Sequence, residues 1–123
     1  MARTPQEIFD HHATALGAGD VDAILEDYAG DAVVITPQGT VRGRPAIREA
    51  FTGLRDLLPD ATFDLRTQMF GDDVLFLEWS ASGSTGRISD GVDTFVFRGN
   101  EIRAHTLRFT LEPADVPTSV VIG

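Results

Sequence analysis

The hydrophobic period of this chain changes once, near residue 61, and that change limits the fold more than any other feature of the sequence. Before it, apolar residues recur every three or four positions, as one face of a helix requires. After it they alternate, as in strands with one buried face. Helices therefore precede a run of antiparallel strands, an α+β arrangement with helices on one face of a sheet.

The local signals agree. Thr4-Pro5-Gln6-Glu7 reads as a capping box with proline at the first helical position, and the first helix should reach about Ala18, where Gly17 and Gly19 break it. Asp20 caps a shorter second helix through Val21, Ile24, Leu25 and Tyr28, ended by Gly30-Asp31. A short strand, Ala32 to Thr36, turns at Pro37-Gln38-Gly39 into Thr40-Val41-Arg42. The third helix starts near Pro45 and carries Ile47, Phe51, Leu54 and Leu58 inward. In the β half, Phe63, Leu65 and Met69 alternate with Asp64, Arg66 and Gln68, and Leu75, Leu77, Trp79 and Ala81 form the inner row of the next strand. Gly83, Gly86 and Gly91 mark bulges or bends. A last hairpin joins the strand from Asp93 to Phe97 with one running from Ile102 to Leu111, giving a four-strand meander; residues 113–123 read as a tail.

Composition excludes several functions. With 123 residues and 42% hydrophobic content the chain fits a single domain over 1–123. A net charge of −9 disfavours nucleic acid and anionic membranes as partners. All ten cations are arginine, so Schiff-base lysine chemistry is absent, and without cysteine there is no thiol nucleophile or thiolate metal site. No run of eighteen apolar residues occurs, and a cytoplasmic protein is the expectation. His11 and His12 diverge by about 100° on a helix, there is no HExxH pattern, and neither a metal nor a cofactor is expected. His11 and the pair Glu26-Asp27 read as solvated surface.

Three polar residues interrupt apolar faces. His12 stands between Ile8, Phe9 and Leu16 on the inner stripe of the first helix. Asp93 heads the row Asp93, Phe95, Phe97, and His105 heads the row His105, Leu107, Phe109, Leu111. Alone, His12 and His105 each fit a hydrogen-bonded core histidine and Asp93 fits a solvated strand end; together, in so small a core, they also fit one shared site. A carboxyl beside aromatic walls and a neighbouring imidazole suit proton transfer.

The blocks Gly19-Asp20-Val21-Asp22-Ala23-Ile24, Tyr28-Ala29-Gly30-Asp31-Ala32-Val33 and Gly43-Arg44-Pro45-Ala46-Ile47-Arg48 resemble the nuclear-transport-factor-2-like superfamily, which includes ketosteroid isomerases and SnoaL-like polyketide cyclases. The resemblance extends through Asp93 to Ile102 and on to Phe109. It implies a cone of three N-terminal helices packed in a strongly curved, mostly antiparallel sheet, with an apolar pocket at the open end and a homodimer formed through the sheet. In the isomerase register His12 takes the place of the oxyanion-hole tyrosine and Asp93 that of the protonated aspartate. Thr36 takes the place of the general base, and threonine cannot remove a proton from carbon. Where the cyclases have a catalytic aspartate this chain has Leu107, and it offers no Asp-Arg-Asp set like that of limonene-epoxide hydrolases.

The reading that follows is a small-molecule enzyme, isomerase- or cyclase-like, using general acid–base chemistry on a hydrophobic carbonyl-bearing substrate. Asp93, His12 and His105 are the candidate catalytic groups, and Trp79, Phe95, Phe109, Thr36 and Tyr28 the candidate substrate contacts. The alternative is a non-catalytic module of the same fold that binds a hydrophobic ligand or dimerises.

Overall fold

The computed structural model describes residues 3–113. Helix α1 (Pro5–Ala18) opens with the capping box: the Thr4 hydroxyl accepts from the Glu7 amide at 3.1 Å, and the Glu7 carboxylate accepts from the Thr4 amide at 2.8 Å. It closes at Gly19, whose φ of 68° is the left-handed conformation that glycine adopts without strain. Helix α2 (Val21–Glu26) is capped by the Asp20 side chain. Strands β1 (Tyr28–Thr36) and β2 (Gly39–Arg42) form a hairpin, followed by helix α3 (Arg44–Leu57). The β half contains β3 (Thr62–Gly71), β4 (Val74–Gly83), β5 (Gly86–Arg98), β6 (Glu101–Arg108) and β7 (Leu111–Pro113).

The strands form one curved mixed sheet in the order β2-β1-β6-β5-β4-β3, with β7 pairing to β5. Strands β3 to β6 make the expected meander, and β1 joins it parallel to β6. Ile8 and Phe9 of α1, Ile24 of α2 and Ile47 of α3 are buried against Leu75, Phe95 and Ile102 of the sheet. Each such side chain contributes roughly 1.5–3 kcal/mol by leaving water, and this burial holds the helices on the sheet.

Four sequence expectations need correction. Tyr28 is not on α2: that helix ends at Glu26, and Tyr28 begins β1, fully buried. Met69 is not inward, because a register shift between Leu65 and Thr67 exchanges the faces of β3 and half-buries Phe70 while leaving Met69 66% exposed. The final strand is broken after Arg108; the Thr110 amide donates to the Asp90 carboxylate at 2.8 Å, and β7 resumes pairing with β5 at Gly86–Ile88. Asp27 is fully buried, although its neighbour Glu26 is solvated as expected. The tail over residues 114–123 lies outside the described residues; Pro113 ends β7.

Curvature has a local cause at Gly91. On β5 an extra residue separates the partners of Trp79 and Ala81, and the Trp79 indole lies directly on Gly91, where a β-carbon would fall 2.2 Å from the ring. Only glycine leaves room for the indole there.

Candidate active site

Strand β5 carries Asp93 inward between Leu77 of β4 and Leu107 of β6, its two register partners. One carboxylate oxygen accepts from Trp79 Nε1 at 2.8 Å, and the other lies 2.7 Å from His105 Nε2. On the other side of the imidazole, His105 Nδ1 lies 2.8 Å from the Tyr28 hydroxyl. One proton assignment gives every one of these groups a partner. The phenol donates to Nδ1, the neutral imidazole donates from Nε2, and Asp93, as a carboxylate, accepts from both His105 and Trp79. Burial holds the phenol's pKa well above its usual value, with Asp93 and then Asp27 adding to the effect, so Tyr28 keeps the proton it donates. Phe95, directly across the strand pair, stacks on His105 with ring centres 4.0 Å apart and fixes the imidazole plane.

His12 comes to the same place from α1. Its ring sits among Phe95, Tyr28 and Phe51 at centre distances of 5.3, 5.8 and 6.0 Å, with His105 at 6.3 Å. The residue is 2% exposed, and its Nδ1 has no hydrogen-bond partner among the described residues. Burial, followed by the neighbouring His105 and His11, lowers its pKa to about 3. His12 is therefore a neutral imidazole at any ordinary pH, with one polar atom unsatisfied.

These groups line one cavity of about 330 Å³. His12, Asp93, His105, Trp79 and Phe95 contribute to its wall, and the remainder is mostly apolar, including Phe9, Leu54, Phe63 and Leu65. Of the anticipated substrate contacts, three are placed elsewhere. Tyr28 reaches the cavity only through His105. Thr36 and Phe109 line a neighbouring cavity of about 270 Å³ that shares Phe51, Leu54 and Leu107 with the first. The Thr36 hydroxyl is held in the β1–β2 turn, where it accepts from the Gln38 amide at 3.2 Å, and Phe109 rests 5.9 Å from the Trp79 ring centre.

A second buried carboxylate escaped the sequence reading. Asp27 lies 3.0 Å from Arg3 Nη1 and 2.7 Å from His11 Nδ1, and Arg3 also donates to the Asn100 backbone carbonyl at 2.8 Å. The pairing of Arg3 with Asp27 across 24 residues leaves no spacing signal in the sequence. Among the described residues there is no group of three or more His, Asp or Glu placed to hold a metal, and no helix long and apolar enough to cross a membrane.

The N-terminal helices packed against a curved mixed sheet define the nuclear-transport-factor-2-like class of folds. Within it, residues 9–105 match the SnoaL-like domain, and the chain belongs to that family. Similar solved structures share the fold. A nuclear-transport-factor-2-like protein of unknown function from Burkholderia xenovorans LB400 is 26% identical, with 86% of this chain and 82% of that chain covered and a TM-score of 0.72. IdmH from Streptomyces antibioticus, a candidate polyketide cyclase, is 17% identical over 98% and 99% of the two chains, with a TM-score of 0.73. SalBIII, an epoxide hydrolase/cyclase-like enzyme with a role in pyran ring formation in the polyether salinomycin, is 21% identical over 86% and 90%, with a TM-score of 0.74. No curated protein matches the chain.

Proposed function

We propose that the protein is a small-molecule enzyme that moves protons on an apolar, carbonyl-bearing substrate, with Asp93 as the base and His12 as the group that receives the carbonyl oxygen. One observation carries this reading: a neutral imidazole with an unpartnered nitrogen shares an apolar cavity wall with a carboxylate held by two neutral donors.

The step is an α-proton abstraction. The proton on the carbon beside the carbonyl passes to a free lone pair of Asp93, the C–H electron pair becomes the enolate double bond, and the carbonyl π pair moves onto oxygen. The N–H of His12 donates to that oxygen where charge develops. Return of the proton to a different carbon gives isomerisation, and attack of the enolate on an electrophile within the same molecule gives ring closure. SalBIII, described as an epoxide hydrolase/cyclase-like enzyme, and IdmH, described as a candidate polyketide cyclase, make ring closure the outcome to test first. Thr36 has no part in it, since its hydroxyl is held in the β1–β2 turn and it does not line this cavity.

Exchange of α-protons for deuterium, followed by NMR over a panel of apolar ketones, tests the proposal. Wild-type protein should accelerate exchange, and Asp93→Asn should lower the rate by at least about 10²-fold. Binding without exchange would favour the non-catalytic module, and unchanged exchange in Asp93→Asn would remove Asp93 from the mechanism. The homodimer finds support in the exposed sheet face, where Val74 pairs with Val96 and Met69 with Phe76, all partly open to solvent.

A further inference from the structure

The first cavity runs along α1. Phe9, His12, Ala13, Leu16 and Gly17, at the spacing of one helical face, all line it. From Phe9 to Gly17 this stripe spans about 12 Å of helix axis. At Gly17 the cavity meets a second of about 300 Å³, lined by Val21, Ile24, Leu58 and Ile88. The two share Leu16, Gly17, Phe51, Leu54, Ala61 and Phe63.

Gly17 is informative because the backbone does not require it. It lies within the helix, its φ is not positive, and a β-carbon there would meet nothing within 4 Å. Alanine would be a better helix former at such a position. Gly17 is exposed and borders open space at the place where the two cavities join. The second cavity is also close to neutral in character, with Arg55 and Asp60 as its charged residues and the Arg55 guanidinium donating to the Gly19 carbonyl at 3.2 Å.

From this we infer that the substrate is elongated: a carbonyl head lies against His12 and Asp93, and an uncharged apolar tail passes Gly17 into the second chamber. The inference rests on the carbonyl reading above and adds the tail, the second chamber and the role of Gly17 as its threshold. A compact substrate would leave the second chamber unused.

The probes are acetophenone, 4-butylacetophenone and 4-octylacetophenone, titrated against wild-type protein by calorimetry. Affinity should rise along the series, by up to about fourfold for each methylene that becomes fully buried. In Gly17→Leu the affinity gain of 4-octylacetophenone over acetophenone should fall roughly tenfold or more, whatever the substitution does to acetophenone itself. Ala61→Leu narrows the same junction from the segment before β3 and should give the same pattern, so the result does not depend on one variant folding. If acetophenone binds but affinity does not grow with chain length, the second chamber is overturned and the carbonyl site stands. If the gain with length survives both substitutions, the tail does not pass Gly17. If none of the ketones binds, the carbonyl reading fails and this inference with it.

Discussion

The protein holds two histidine–carboxylate pairs with the same 2.7 Å separation, His11–Asp27 and His105–Asp93, and they have opposite surroundings. In the outer pair the carboxylate is buried, but its partners reach water: His11 is 41% exposed and Arg3 is 35% exposed. A cation meets the charge of Asp27, and the cluster fastens the segment before α1 to Asn100 in the β5–β6 turn. In the inner pair both residues are buried and the remaining partners are the neutral Trp79 and Tyr28. No guanidinium contacts Asp93 among the described residues, so its charge rests on neutral dipoles beside a cavity. The pair itself does not define a site. What it faces distinguishes the two: solvent and an arginine surround the outer carboxylate, whereas the inner one meets Trp79 and His105 beside a cavity, the setting on which the proposed role of Asp93 rests.

The largest expected effect breaks the inner arrangement alone. Gly91→Ala would drive a methyl group into the Trp79 ring and should cost about 3 kcal/mol, at the upper end for overpacking. Because Trp79 is the only tryptophan, its fluorescence reports directly on the displaced indole, and unfolding in denaturant gives the stability. An unchanged emission spectrum would mean that the ring does not depend on Gly91. A smaller effect separates the outer pair. Arg3→Ala removes a part-exposed ion pair and should cost about 1 kcal/mol, with Trp79 emission unaltered. A change in that emission would show that the two pairs are coupled.

Sequence patterning exposed the inner pair better than the outer one, for a physical reason. Asp93 and His105 each stand at the head of an alternating apolar row, and period two survives on their strands well enough to put both inside. His12 was legible in the same way on α1, and residues 19–48 carried the family resemblance that the SnoaL-like match bears out. Tyr28 and Asp27 were not legible because the boundary between α2 and β1 decides their direction. An early helix end, after Glu26, turned a presumed surface carboxylate inward and moved the tyrosine onto the sheet, where tertiary contacts outweigh local propensity. Met69 was misplaced by one register shift, which no composition rule reveals. The division of the interior into separate cavities, with Thr36 and Phe109 in a different one from Asp93, depends on how α3 lies across the sheet.

His12 sharpens the comparison further, since it lies beside the inner pair and belongs to neither. Its folded pKa of about 3 is below the ordinary value of 6.5, so the unfolded chain takes up a proton that folded His12 refuses. The sign follows: the full stability is present above pH 6.5 and is lost as pH falls toward 3. By pH 5 the loss is about 2 kcal/mol. The decisive measurement is therefore the difference in unfolding free energy between wild type and His12→Phe, followed from pH 7 to pH 5. A neutral imidazole kept for a ligand rather than for the fold predicts that the phenylalanine variant is no less stable at pH 7 and that the gap widens in its favour by about 2 kcal/mol at pH 5. A variant less stable at pH 7 would contradict it and make His12 a structural core residue, and a gap that does not change with pH would contradict the lowered pKa of the buried imidazole.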